Sequence, residues 1–152
     1  MNQQQPETET LTFKIGISGL YWDKNPQYSI HINKDTILHS IIKSPSNQIV
    51  YHEFTYTLES DQEFNLEIRL LNKTDSDTVQ DSEKNIVKDM ILNIESIEID
   101  GIELEFLKWS ESVFTPENPT KPTLKNCVNL GWNGAYKLSL TSPFYLWLLE
   151  KM

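Results

Sequence analysis

Apolar and polar residues alternate with a period of two through most of this chain, and short turn-forming segments interrupt them at regular spacing. That pattern restricts the chain to β architectures. Leu11, Phe13, Ile15 and Ile17 alternate with Thr12, Lys14, Gly16 and Ser18. Tyr28, Ile30 and Ile32 alternate with Ser29, His31 and Asn33, and a turn at Lys34-Asp35 returns the chain as Thr36 to Ile42. In that hairpin Ile32 is expected to face Ile37. Ser44-Pro45-Ser46-Asn47 is turn chemistry. Alternation resumes at Val50, His52, Phe54, Tyr56 and Leu58, and again after Ser60-Asp61-Gln62 at Phe64, Leu66, Ile68 and Leu70. Each such strand buries one face, so the expected fold is an all-β, antiparallel β-sandwich of jelly-roll or related type.

The second half keeps the pattern with three departures. Thr78-Val79-Gln80 and Ile86-Val87-Lys88 flank Asp81 to Asn85 and predict a protruding hairpin with a polar tip. In the run Asp89 to Gly101, Leu92 and Ile94 share one parity and Ile97 and Ile99 the other, which predicts a bulge near Glu95-Ser96. Asp100-Gly101 is a tight turn into a further alternating strand through Ile102, Leu104 and Phe106. Pro116, Pro119 and Pro122 predict that Phe114 to Thr123 is an extended connection rather than regular structure. After a turn at Gly131-Trp132-Asn133-Gly134, Tyr136, Leu138 and Leu140 form the last strand. Ser142-Pro143 then reads as a helix start, Ser as N-cap and Pro at the first position, with a short apolar helix from Phe144 to Met152. So short a helix is marginal alone, and Phe144, Trp147 and Leu148 must pack on the sandwich.

At 152 residues the chain suits one domain, here 10–152, behind a polar N-terminal tail, 1–9, expected to be flexible. A formal charge of -9 and a single arginine, Arg69, leave almost nothing with which to bind phosphate or read a base, which argues against nucleic acid as partner. One cysteine, Cys127, excludes an intrachain disulfide and fits a reducing compartment. No apolar stretch is long enough for a membrane helix. Met1 to Thr10 lacks the basic and apolar regions of a secretion signal, so synthesis in the cytoplasm is expected.

Two groups of residues have chemistry worth locating. Tyr21, Trp22 and Trp132 fall in expected loops and Trp109 at a strand end, where an exposed ring could stack on the C–H face of a sugar. The plainer reading is burial, because each large aromatic has much apolar area to remove from water. Asp75, Asp77, Asp81, Glu83 and Asp89 could supply oxygens to calcium, which takes six to eight. Their spacing is not that of an EF-hand, and a solvated acidic loop is the plainer reading. His31, His39 and His52 lie on expected strands without a zinc pattern, and Cys127 has no matching His loop. No Gly-x-Ser-x-Gly elbow is present. The expectation is therefore a non-enzymatic protein.

Asp89 to Gly101 resembles the signature strand of calcium-dependent xylan-binding modules, matching at Asp89, Leu92, Ile94, Glu95, Ile97, Glu98, Ile99, Asp100 and Gly101. Met90-Ile91 and Ser96 depart from it. The resemblance implies a carbohydrate-binding-module-like sandwich and a calcium ligand at Asp89. A second resemblance covers Asp77 to Asp89, Ile97 to Ile102, Gly131 to Gly134 and Leu140 to Glu150. Those segments are similar to small β-sandwich virion proteins of T4-like tailed phages. This implies a structural, decoration or attachment role in a virion, made in the host cytoplasm and acting through contacts with other virion proteins or by self-assembly. The functional expectation is thus a phage structural protein, with a calcium-dependent carbohydrate-binding module as the alternative. The one cofactor in question is calcium, and the one ligand a glycan.

Overall fold

The computed structural model describes residues 7–152; residues 1–6, most of the expected tail, lie outside it. In chain order the elements begin with β1 (Thr8–Leu20), β2 (Gln27–Ile32), β3 (Asp35–Ile41), β4 (Val50–Glu59) and β5 (Glu63–Leu70). A single 3-10 turn at Asp75–Asp77 leads to the hairpin β6 (Val79–Gln80) and β7 (Ile86–Lys88). There follow β8 (Ile91–Ile99), β9 (Ile102–Glu103), α1 (Leu107–Ser110), β10 (Ser112–Pro116), β11 (Leu124–Lys125), β12 (Asn129–Leu130), β13 (Gly134–Thr141) and α2 (Phe144–Lys151).

Two antiparallel sheets result, ordered β12-β8-β1-β4 with β9 on β8, and β11-β10-β13-β5-β2-β3. Their inner faces make one core. Phe13, Ile15, Ile17, Ile97 and Ile99 from the first sheet and Ile30, Leu66, Ile68, Phe114, Tyr136 and Leu138 from the second have no exposed surface. Burying each such side chain contributes about 1.5–3 kcal/mol, so the alternation read from the sequence supplies the main driving force.

The expected bulge is present and has a purpose. Gly16 pairs with Ser96 and Ile17 with Ile94, leaving Glu95 as the extra residue. Its carboxylate turns back to accept a hydrogen bond from the buried Ser18 hydroxyl at 2.6 Å. A Cβ at Gly16 would lie 2.6 Å from Ser96 Oγ and 2.9 Å from a Tyr51 ring carbon, so any larger residue there requires those side chains to shift. Asp100 and Gly101 both take positive φ (50° and 79°), which fits the tight hairpin turn expected of that pair.

Four expectations are corrected. The β2–β3 turn sits at Asn33-Lys34, with Asn33 in the left-handed region, and Ile32 faces Asp35 rather than Ile37. The strand after Gly101 stops at Glu103, because Leu104 and Leu107, three apart, both turn to the core on a helical turn that becomes α1. Ser112, Phe114 and Pro116 alternate inward as β10 between β11 and β13, so the prolines end a strand there instead of preventing one. Pro143, not Ser142, occupies the N-cap of α2; Ser142 joins the β4–β5 turn through its backbone, and its hydroxyl is buried without a partner. Glu9 instead caps the helix, accepting from Phe144 N–H at 2.9 Å. Thr8 and Glu9 open β1, and the Glu7 carbonyl accepts from Ser60 N–H at 2.9 Å. Phe144 and Trp147 are buried and Leu148 packs beside them.

Candidate functional site

The chain leaves β5 at Leu70 and immediately builds a polar junction. Asn72 accepts from Gln27 N–H at 2.8 Å and donates to Asn25 carbonyl at 2.9 Å. Next to it, the backbone of Lys73 is matched on both sides by one amide: Asn133 Oδ1 accepts Lys73 N–H at 2.7 Å, and Asn133 Nδ2 donates to Lys73 carbonyl at 2.8 Å. The Lys73 ammonium donates to Asp89 Oδ1 at 2.7 Å and to the Gly131 carbonyl at 2.5 Å. Asp89 Oδ1 also accepts from the Thr78 hydroxyl at 2.7 Å and from Met90 N–H at 2.9 Å. Three segments distant in sequence are thus fastened at one point.

This junction forms one wall of an open cleft of about 800 Å3 between the acidic hairpin, the loop after β10 and the 131–133 turn. Trp132, Ile86 and Pro119 give it apolar surface, while Asp75, Gln80 and Glu117 give it polar groups. Lys121 places its ammonium 5.1 Å from the centre of the Trp132 ring. The cleft is within the size range of small-molecule sites.

The five carboxylates do not come together. Asp77 is buried; its Oδ2 accepts from Thr74 N–H at 2.7 Å and the Thr74 hydroxyl at 3.1 Å, and lies 3.1 Å from the Lys24 ammonium. Asp81 closes the hairpin tip by accepting from the Glu83 and Asn85 amides, each at 2.9 Å. Asp75 and Glu83 are exposed. Burial opposes ionisation of Asp77 and Asp89, but the hydrogen bonds from Thr74 to the first, from Lys73, Thr78 and Met90 to the second, and the lysine charges outweigh it; both carboxyls sit below their ordinary range. Among the described residues, no group of three or more His, Cys, Asp or Glu is placed to hold a metal ion. Of the five carboxylates expected as calcium ligands, Asp77 and Asp89 carry lysines, Lys24 and Lys73, where a cation would stand.

Of the four aromatics, only Trp132 lines the cleft. Trp22 is half-exposed, donates its indole N–H to the Asp77 carbonyl at 2.9 Å and carries Lys88 over its ring. Tyr21 donates to the Ser44 carbonyl at 2.5 Å and packs against the core. Trp109 lies on α1, stacked obliquely on Phe106 with ring centres 5.4 Å apart. Of the histidines, His31 binds the Ser29 hydroxyl at 2.7 Å and His52 the Tyr28 hydroxyl, and burial lowers the pKa of both. Burial pushes the Cys127 thiol up, and it donates to the Asn129 carbonyl at 3.2 Å. The residues sequence reasoning passed over are Lys24, Lys73 and Asn133. The signal for them was faint: two lysines among many acidic neighbours, and an Asn inside an apparent turn.

No protein-family model matches this chain, and no curated protein matches its sequence. Two solved structures resemble it. One is a selenomethionine form of vCBM60, described as part of a circular-permutation link between two families of calcium-dependent carbohydrate-binding modules. It aligns at 12% identity and a TM-score of 0.51, over 84% of this chain and 89% of that one. The other is vCBM60 in complex with galactobiose, at 12% identity and a TM-score of 0.49, over 84% and 96%. Likeness at this identity establishes the fold. The chain is an antiparallel β-sandwich with a short C-terminal helix, and the tailed-phage identity expected from sequence is not among the findings.

Proposed function

We propose that this chain is a non-catalytic binding module that takes a glycan in the cleft beside Trp132. One observation carries the reading: the Trp132 indole, partly buried against the core and with the Lys121 ammonium over its ring, lines the same cleft as the Asp75 and Glu117 carboxylates and the Gln80 amide. A sugar offers the complement, an apolar C–H face and a rim of hydroxyls. The fold it shares with a calcium-dependent carbohydrate-binding module agrees with this in kind. The test is a glycan array followed by titration calorimetry on the best hit. Trp132→Ala should weaken that binding about tenfold or more, as loss of a stacking aromatic does. Binding to no glycan, or binding indifferent to Trp132, would refute the proposal.

A second reading, a structural protein of a phage virion meeting other virion proteins or its own copies, rests on a different region. Phe106 and Trp109 at α1 and Tyr145, Leu146 and Leu149 on α2 are exposed, and Lys151 reaches Glu111 at 3.6 Å to bring the two helices' ends together. Apolar side chains so displayed suit protein contact. Sedimentation showing a monomer at every accessible concentration, and no binding to the other proteins of such a particle, would remove it.

A further inference from the structure

The Lys73–Asp89 pair differs from the other ion pairs of the chain. Its two side chains are 11% and 14% exposed, whereas Lys24, Arg69, Lys137 and Lys151 each stand more than a third exposed. A pair so enclosed is not a screened surface contact, and removing one partner strands a charge. Its ammonium is also bound to a main-chain carbonyl of the 131–133 turn, and its carboxylate to the hydroxyl of Thr78 at the foot of the hairpin. In an acidic chain, loops brought together in this way need positive charge between them. Elsewhere a bound divalent ion can supply it, by drawing six to eight oxygens around itself. Here one carboxylate oxygen and one carbonyl meet at a point already filled by a side chain.

We infer that the Lys73 ammonium is the resident cation of the junction that walls this cleft: a tethered crosslink that positions the hairpin and the Trp132 turn, so that the cleft forms and takes its ligand without calcium. The inference concerns how the site is held and stands whether or not the ligand is a glycan. It separates this chain from the module whose fold it shares, which is described as calcium-dependent. Asn133 completes the device, because it fixes the Lys73 backbone while the ammonium fixes the turn that carries Asn133.

The experiment is thermal unfolding of the full chain in EDTA and in millimolar calcium, with Lys73→Met, Asp89→Asn and the double variant beside it. A ligand that binds only the native state must raise Tm, so wild type should give the same Tm in both buffers. Lys73→Met should lower Tm by about 5 °C or more and shift the Trp132 indole N–H resonance. Adding Asp89→Asn should recover part of the loss, because the stranded carboxylate is neutralised; a lysine that only fills space would give additive losses. A saturable rise of wild-type Tm with calcium would overturn the inference, as would strict additivity. Should Lys73→Met fail to fold, the two wild-type arms decide alone. Glycan binding that persists in EDTA supports the inference. Binding that requires calcium overturns it and leaves the glycan proposal standing, while absence of any glycan binding refutes that proposal only.

Discussion

Within one short stretch, Asp77 and Asp89 on one side and Asp75, Asp81 and Glu83 on the other are the same kind of side chain in opposite situations. The first two are enclosed, each with a lysine and several hydrogen-bond donors. The others face water, and of these only Asp81 has a task, closing its own turn. In an enclosed position a carboxylate is either a liability or a fastening, depending on whether a cation is built beside it. In an exposed one it is screened, free to solvate the surface or to meet a ligand. Charge count alone does not distinguish them; the depth at which the backbone leaves each one does.

The comparison is broken most severely at Asp89. Asp89→Ala leaves Lys73 enclosed without its partner and frees Thr78, and should cost about 3 kcal/mol in chemical denaturation. Asp77→Ala should cost less, about 1–2 kcal/mol, because Lys24 is 38% exposed and regains water; what is lost is chiefly the pair of bonds from Thr74.

Acid titration tests both at once. Their folded pKa values lie below the ordinary carboxylate value, so the unfolded chain binds protons first as pH falls. Their contribution is complete above the unfolded values near 4 and drains away as pH falls below them toward the folded ones. Wild type should therefore lose stability over that window, and Asp89→Asn should show a shallower loss in pH-dependent unfolding.

The smallest effects belong to the exposed set. Asp75→Asn should leave Tm unchanged yet weaken any ligand held in the cleft, which calorimetry separates from unfolding. Glu83→Ala should change neither, and a measurable loss of stability there would erase the distinction between the two groups.

Much of the fold was readable because burial imposes a strict period. Phe13, Ile15, Ile17 and Leu66, Ile68, Leu70 could face the core only as strands, and the parity change from Ile94 to Ile97 located the bulge at Glu95. Where two periods share residues the reading failed. Leu104 and Phe106 satisfy strand alternation, but Leu104 and Leu107 satisfy a helical turn, and the core took the second pair. The site was hardly readable at all. Asp89 was singled out as a ligand for a cation, and it does hold one, but the cation is a side chain sixteen residues earlier in the chain.

By itself the sequence determined a β-sandwich, its hairpin turns, its bulge and an acidic projecting loop, because hydrophobic alternation and turn stereochemistry act over a few neighbouring residues. Only the tertiary structure decided which carboxylates face water, that Lys73, Asp89 and Gly131 meet, and that Trp132 alone of the singled-out aromatics opens onto the cleft. Those outcomes depend on packing between segments remote in the chain. Charge pairing and desolvation are set by distance and depth, and neither is written in local order.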